Sequence, residues 1–279
     1  MKQTELILNS DGSVYHLALK PQEIADTVIT VGDPHRVGIV SQYFDSIQFK
    51  KEKREFVTHT GTLSGKPISV ISTGIGTDNV DIVFNELHAL KTMTGVDFTP
   101  YKFIRLGTSG AIREDIAIDS ILASNSALGL DGLMHFYKDY SQDEVLQSLI
   151  NQHSSLQKLP APYWEPASVN LLDKFKGLYN LSGVTVTAAG FYGPQGRHVN
   201  SVPIAPNFIE LLGSSDFRSN PITNLEMETA GIYGLANLLG HQSISVSAIL
   251  ANRVTGEFSA NADKIVKSML EKALDIIVS

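Results

Sequence analysis

The stretch "SISVSAILANRV", Ser243–Val254, carries no charge until Arg253 and reads as an apolar strand ending at Asn252-Arg253. A strand without a charged face must be covered on both sides, so helices have to pack above and below its sheet. The same grammar recurs upstream. "DTVITVGDP" reads as a strand over Thr27–Val31, broken at Gly32 and Pro34, with a helix following through Val40. "REFVTHTGTLSGKPISVISTGIG" reads as a hairpin around Ser64-Gly65-Lys66-Pro67. A helix is expected from about Asp78 to Thr92, with Val80, Val83, Phe84, Leu87 and Leu90 on one face. "YKFIRLGTSG", "SILASNSALG" and "SGVTVTAAG" are further strands, and residues 261–277 form a last amphipathic helix. Strands alternating with helices make an α/β fold with a largely parallel or mixed sheet. No repeat or linker divides the chain, so residues 1–279 read as a single domain. The least regular part, about 138–166, is either a surface insertion or a lid.

Composition narrows the function. Hydrophobic residues make up 43% of the 279 and charged ones 18%, enough for a substantial core. A net charge of −7 supplies no field that would attract nucleic acid. With no cysteine there is no disulfide framework, thiolate metal site or cysteine nucleophile. No apolar run approaches the roughly 18 to 20 residues that span a bilayer. The start, "MKQTELILNSDG", has Glu5 and Asp11 breaking its apolar patch and makes a poor signal peptide. A cytoplasmic protein without nucleic-acid or membrane partners is expected.

Several tempting motifs fail. "GTLSGKP" is one residue short of a P-loop and has Pro67 where Ser or Thr belongs. "GTSGA" around Ser109 is not a nucleophile elbow, "GIGTDN" lacks the third glycine of a dinucleotide fingerprint, and no histidine pair has zincin spacing. What remains is a set of strand-end loops suited to an anion. "VGDPHRV" places Arg36 just after Gly32, "STGIGTDN" offers Gly74, Gly76 and Thr77 at a helix start, and "RLGTSG" carries Arg105, Gly107, Thr108 and Ser109. Arg54 opens a strand after Lys50, Lys51 and Lys53. Each loop alone could be an ordinary turn. Several arginines beside glycine loops in an acidic chain suggest a phosphate cradle, because guanidinium grips phosphate in bidentate fashion.

Two further stretches complete the picture. "NLEMETAG", Asn224–Gly231, sets Glu226 and Glu228 two apart ahead of a small, apolar helix. On a helix they would not share a face, and Thr223 with Glu226 has capping-box spacing. Glu226 is therefore expected mainly to start the helix, leaving Glu228 to accept from vicinal hydroxyls such as those of a ribose. In "FYGPQGRHV", Phe191 and Tyr192 offer stacking faces. Gln195 and Arg197 would project together from an extended segment, matching the O2/N3/O4 edge of a uracil. A polar surface loop is the competing reading.

The ordered set "VGDPHRV", "REF", "STGIG", "RLGTSGAI", "LDGLMHFY", "FYGPQGR", "EMET", "ANR" closely resembles the nucleoside phosphorylase-I family, and within it the uridine-cleaving branch. The likeness runs from His16 to Arg253. It implies a three-layer αβα fold with a mixed, partly barrel-like central sheet. It implies a pentosyltransferase of pyrimidine salvage that cleaves uridine reversibly with phosphate, giving uracil and ribose 1-phosphate. By the resemblance, Gly32, Arg36, Arg105 and Thr108 bind phosphate, and Arg54 reaches the phosphate of a neighbouring subunit. His16 approaches the ribose across the same boundary. Met227 and Glu228 hold the ribose, and Phe191, Gln195 and Arg197 bind the base. Arg197, Glu228 and Arg105 would be the catalytic groups. Phosphate is a co-substrate and no cofactor is expected. A monovalent cation near Glu55 is optional, and no other metal is implied. Homo-oligomers of dimer units with shared active sites follow, with dimer and hexamer both open. The sequence after "QGRHVN" departs from the common bacterial pattern, and Ser109 stands where threonine is frequent. The rivals are a purine nucleoside phosphorylase or a nucleosidase on the same fold, and a binding protein without turnover. Against a purine enzyme, the late strand ends in Asn252 rather than an aspartate able to protonate N7.

Overall fold

The computed structural model describes residues 5–93, 95, 98–138, 143–152, 154, 156–203, 205 and 207–279. The first half runs β1 (Thr27–Val31), α1 (Pro34–Ser41), β2 (Ser46–Lys53), β3 (Phe56–Leu63), β4 (Lys66–Ser72), α2 (Thr77–Met93), β5 (Lys102–Ala111) and β6 (Ile121–Gly129). The second half runs α3 (Glu144–Gln152), β7 (Tyr163–Pro166), α4 (Val169–Lys174), β8 (Leu181–Thr187), α5 (Phe208–Gly213), β9 (Asp216–Phe217), β10 (Asn220–Glu226), α6 (Thr229–Leu238), β11 (Gln242–Asn252) and α7 (Ala262–Val278).

Among the described residues the strands form one mixed sheet in the order β2-β3-β4-β1-β5-β11-β6-β8-β10-β9, with β7 added to β6. Its far half curls shut. β10 pairs antiparallel with β5 through Asn224↔Ala111 and Leu225↔Gly110, closing a five-stranded barrel of β5, β11, β6, β8 and β10. β11 lies parallel to β5 along almost its whole length.

The period-2 alternation of strands decides which face each side chain serves. On β11, Ile244, Val246 and Ala248 join Ile29, Ile104 and Leu106 in a core sealed by Val37 and Val40 of α1, Phe175 beside α4, and Met269, Leu270 and Ala273 of α7. The intervening Ser243, Ser245 and Ser247 are buried on the other face. The strand that reads as wholly apolar thus has a polar face, and Ser245 Oγ lies 2.9 Å from Thr229 Oγ1 of α6. The opposite core joins Val28 and Phe103 to α2 and α6. All five apolar residues expected on one face of α2 are buried there. Each such burial stabilises by about 1.5–3 kcal/mol, so packing rather than propensity holds the helix.

The hairpin forms as expected, with Ser64 and Gly65 both left-handed (φ 49 and 74), as the twist of the flanking strands favours. Of residues 138–166, the reading as insertion or lid falls partly on 139–142, 153 and 155, which lie outside the described residues; the described part packs against the body. Leu146, Leu149 and Leu156 enter a third core with Val184 and Val186, and Arg218 Nη2 donates to Asp143 at 2.8 Å. No residue from 138 to 166 lines the cavity among the described residues.

Candidate active site

A cavity of about 880 Å3 opens where β1, β5, β10 and β11 end. It gathers Gly32, Arg36, Arg105, Thr108, Met227, Glu228, Phe191, Gln195 and Arg197, nine of the eleven residues named for substrate. His16 and Arg54 do not line this chain's cavity. Arg54 is exposed in a left-handed turn (φ 58) between β2 and β3.

The floor is electrostatic. Arg105 is buried on β5, and its Nη2 meets Glu226 Oε2 at 3.0 Å and Glu228 Oε2 at 2.5 Å. Room for this comes from Gly107, where a Cβ would stand 1.8 Å from Arg105 Nη1. Burial alone would depress the guanidinium, but Glu226 and then Glu228 hold it above its ordinary value. Glu228 titrates above the usual carboxylate range, because it is buried and shares the single guanidinium with Glu226. The second nitrogen, Arg105 Nη1, is buried with no partner. Beside it, Arg36 on the first turn of α1 donates to the Leu106 carbonyl at 3.4 Å. Burial and the nearby Arg105 both lower the Arg36 pKa. Two guanidinium groups that repel each other, one with an orphaned N–H edge, make a site that an anion relieves.

Three local expectations need correction here. Thr223 is not the N-cap of a capping box, because it lies inside β10 and α6 starts at Thr229. Glu226 caps α6 directly: its carboxylate accepts from the backbone N–H groups of Glu228 and Thr229 at 3.0 Å and from Thr187 Oγ1 at 2.6 Å. Glu226 and Glu228 also do not part to opposite faces. They sit at a strand end and the turn after it, so both are buried (4% and 6% exposed) and both reach Arg105. Third, the Gly76 N–H is not free for phosphate. It donates to Glu228 Oε1 at 2.8 Å, so the glycine loop orients the carboxylate.

The mouth is built from one loop. Residues 191–197 are not extended: a single 3-10 turn over Gly193–Gln195 ends at Gly196 in a left-handed conformation (φ 67). This turn brings Gln195 and Arg197 together all the same, with Arg197 Nη1 donating to Gln195 Oε1 at 2.6 Å and to the Phe191 carbonyl at 2.5 Å. The guanidinium lies 3.6 Å over the Phe191 ring, so one stacking face is taken by the loop's own arginine. Burial, then the neighbouring Arg253, brings the Arg197 pKa down to about 10, still charged at neutral pH. Gln195 is buried while Phe191 is 51% exposed.

Arg253 carries a role that the sequence did not assign. Its Nη2 donates to the Gln195 carbonyl at 3.2 Å, and its Nη1 is buried without a partner. The available signal was the "ANR" ending of β11. Asn252, one residue earlier, is fully used in local structure: Nδ2 donates to the Arg113 and Ile116 carbonyls, and Oδ1 accepts from Val254 and Thr255 N–H.

A sequence model of the phosphorylase superfamily matches residues 26–278. The uridine phosphorylase of Thermococcus kodakarensis is 34% identical over 273 residues, covering 96% of this chain and 87% of its own. A DeoD-type purine nucleoside phosphorylase of Oceanobacillus iheyensis is 29% identical over 269 residues, covering 94% and 98%. The crystal structure of a Trypanosoma brucei nucleoside phosphorylase, described as showing uridine phosphorylase activity, superposes with a TM-score of 0.90 at 31% identity, covering 98% of this chain and 99% of that one.

Proposed function

The chain belongs to the phosphorylase superfamily, and we infer that its cavity cleaves uridine with phosphate into uracil and ribose 1-phosphate. One observation carries the reading: a buried arginine holds two carboxylates with one nitrogen and leaves the other bare, beside a second arginine. Carboxylates there suit sugar hydroxyls, and the bare edge with Arg36 suits phosphate. Gly32 and Thr108 border the same space, and Met227 lies beside Glu228.

In the reaction, a phosphate oxygen attacks C1′ as the C1′–N1 bond breaks, and that electron pair leaves with uracil. Positive charge grows on the ribosyl ring, flanked by phosphate and by Glu228. Negative charge grows on the base, where Arg197 and the amide of Gln195 stabilise it. Phosphate is the nucleophile, so positioning and fixed charge take the place of a general base. A purine enzyme is the weaker reading, because Asn252 has no proton to give N7 and its polar atoms are all engaged.

The partner-subunit roles of His16 and Arg54 belong to this reading. Both fall outside their own cavity, yet they share one ledge: Lys53, next to Arg54, reaches the Tyr15 carbonyl and bonds Asn9 Oδ1 at 3.1 Å. Dimer units exchanging this ledge would complete each other's sites. A monovalent cation would use Glu55, which borders the cavity beside Gly74 and Ile75. Residues 1–279 would act as one catalytic domain, in cytoplasmic pyrimidine salvage. No helix of the described residues is long and apolar enough to cross a membrane.

The direct test incubates the protein with uridine and with inosine, with and without phosphate. Uracil should appear with uridine only when phosphate is present; equal release without phosphate would overturn the reading. Mixing inactive Arg54→Ala with inactive Glu228→Ala subunits should restore roughly a quarter of wild-type activity, since half the dimers are mixed and each has one intact site. No recovery after confirmed subunit exchange would rule out shared sites.

A further inference from the structure

Two histidines meet at the end of the sheet remote from the cavity, and the reaction above uses neither. His241 stands just before β11 and is buried where the starts of β5 and β11 reach α2. Its ring is walled by Phe98, Tyr101 and Phe103, with centroids 5.3, 5.2 and 5.6 Å away. His88 of α2 completes the wall at 5.3 Å.

The hydrogen bonds run in one direction. The Tyr101 backbone N–H can only donate, so His241 Nδ1 is its acceptor, at 3.2 Å. A neutral imidazole with its lone pair on Nδ1 carries its proton on Nε2. That nitrogen lies 3.2 Å from His88 Nδ1 and donates to it, which leaves the His88 proton on Nε2 as well. Both Nδ1 lone pairs are therefore taken. An added proton on His241 Nδ1 would face the Tyr101 N–H, and one on His88 Nδ1 would face the His241 N–H. Either breaks a link and leaves a charge against an aromatic wall.

The neighbouring charges give such a proton no help. Lys91 of α2 repels a charged His241, and its ammonium lies 4.5 Å over the Tyr101 ring. Asp26, just before β1, is exposed and pairs with Lys91. The end of α6, whose Ala236 carbonyl accepts from the His241 N–H at 2.7 Å, brings no charge. Burial, then His88 and Lys91, lower the His241 pKa from 6.5 to about 4, and burial lowers His88 as well.

We propose that His88 and His241 form an acid-sensitive clasp: with both rings neutral it ties α2 to the starts of β5 and β11, and protonation opens it. A histidine depressed in the folded state contributes stability that is complete above its ordinary pKa and is lost as pH falls toward its folded one. The clasp thus holds at neutral pH and fails between 6.5 and about 4.

The test measures urea unfolding at one protein concentration, at about pH 7.5 and about pH 5, in wild type and His241→Asn. Asparagine keeps an acceptor for the Tyr101 N–H and does not titrate. On acidification the wild-type unfolding constant should rise about 10- to 30-fold more than that of the variant, as the two pKa values require. Equal rises in both would overturn the clasp. Imidazole-nitrogen NMR of the wild-type protein gives the second reading, and it decides alone if His241→Asn does not fold. Both Nδ1 atoms should be unprotonated at neutral pH, with His241 titrating well below an ordinary histidine. A proton on His241 Nδ1 at neutral pH, or an ordinary titration, would sink the proposal.

Discussion

The floor and the mouth of the cavity are both made of arginine and polar partners, yet they are built in opposite ways. On the floor, Arg105 and the two glutamates come from β5, from the end of β10 and from the turn after it, and all three are buried. At the mouth, Phe191, Gln195 and Arg197 belong to one seven-residue loop that bonds mainly to itself. The floor can therefore hold charge in fixed places, which the cleavage of a glycosidic bond needs. The mouth, proposed to read a planar base, can be rebuilt without disturbing the barrel. Relatives that act on different bases are expected to differ at the mouth.

Glu228→Gln gives the sharpest break. Losing the charge that faces the ribosyl cation should cut uridine kcat/KM by about 100- to 1000-fold, with kcat as well as KM affected. Wild type should also lose rate on 2′-deoxyuridine while the variant hardly notices; equal losses in both would show that this carboxylate does not hold the 2′-hydroxyl. The same group sets the acid side of the pH profile. Burial and the shared guanidinium raise Glu228, so its charge disappears as pH falls while an ordinary carboxylate would still be ionised. The acid limb of kcat/KM should lie above the usual carboxylate range and vanish from the residual activity of Glu228→Gln.

Arg197→Ala should come next, costing about 2–4 kcal/mol of transition-state stabilisation for uridine while phosphate binding measured by calorimetry stays near wild type. If phosphate binding fell as far as turnover, floor and mouth would not be separable. Glu226→Gln should be the mildest in activity and the clearest in stability. Its carboxylate accepts from two N–H groups at the start of α6 and from the Thr187 hydroxyl at the end of β8, and it pairs with Arg105, whereas an amide is neutral and offers a single acceptor oxygen. A loss of about 1–3 kcal/mol in unfolding free energy is expected, with less than a ten-fold change in kcat/KM.

The sequence was most legible where local rules suffice. Thr27–Val31, the hairpin turn and the apolar face of α2 are set by alternation, turn chemistry and helical spacing. β2 was missed because "SIQFKKEK" is charged on the wrong period for a half-buried strand. It is the sheet's edge, where lysines discourage pairing with other chains. The residues around the cavity were legible as types, since arginine beside glycine has a clear chemical use. Their mutual geometry was not. Both glutamates converge on Arg105 only because β10 closes onto β5 more than a hundred residues away, and no local pattern encodes that pairing. Arg253 escaped for the same reason: it meets Gln195 only once β11 and the 191–197 loop are side by side.

One feature of α2 reaches beyond a single site. The loop at its start hands the Gly76 N–H to Glu228, and ten residues later Glu86 grips His16. The two anchors lie about 15 Å apart along one unbroken helix. If His16 serves the neighbouring subunit, this helix is a rigid rod pinned in two different active sites. Any coupling that such a helix carried between two sites would act equally in both directions.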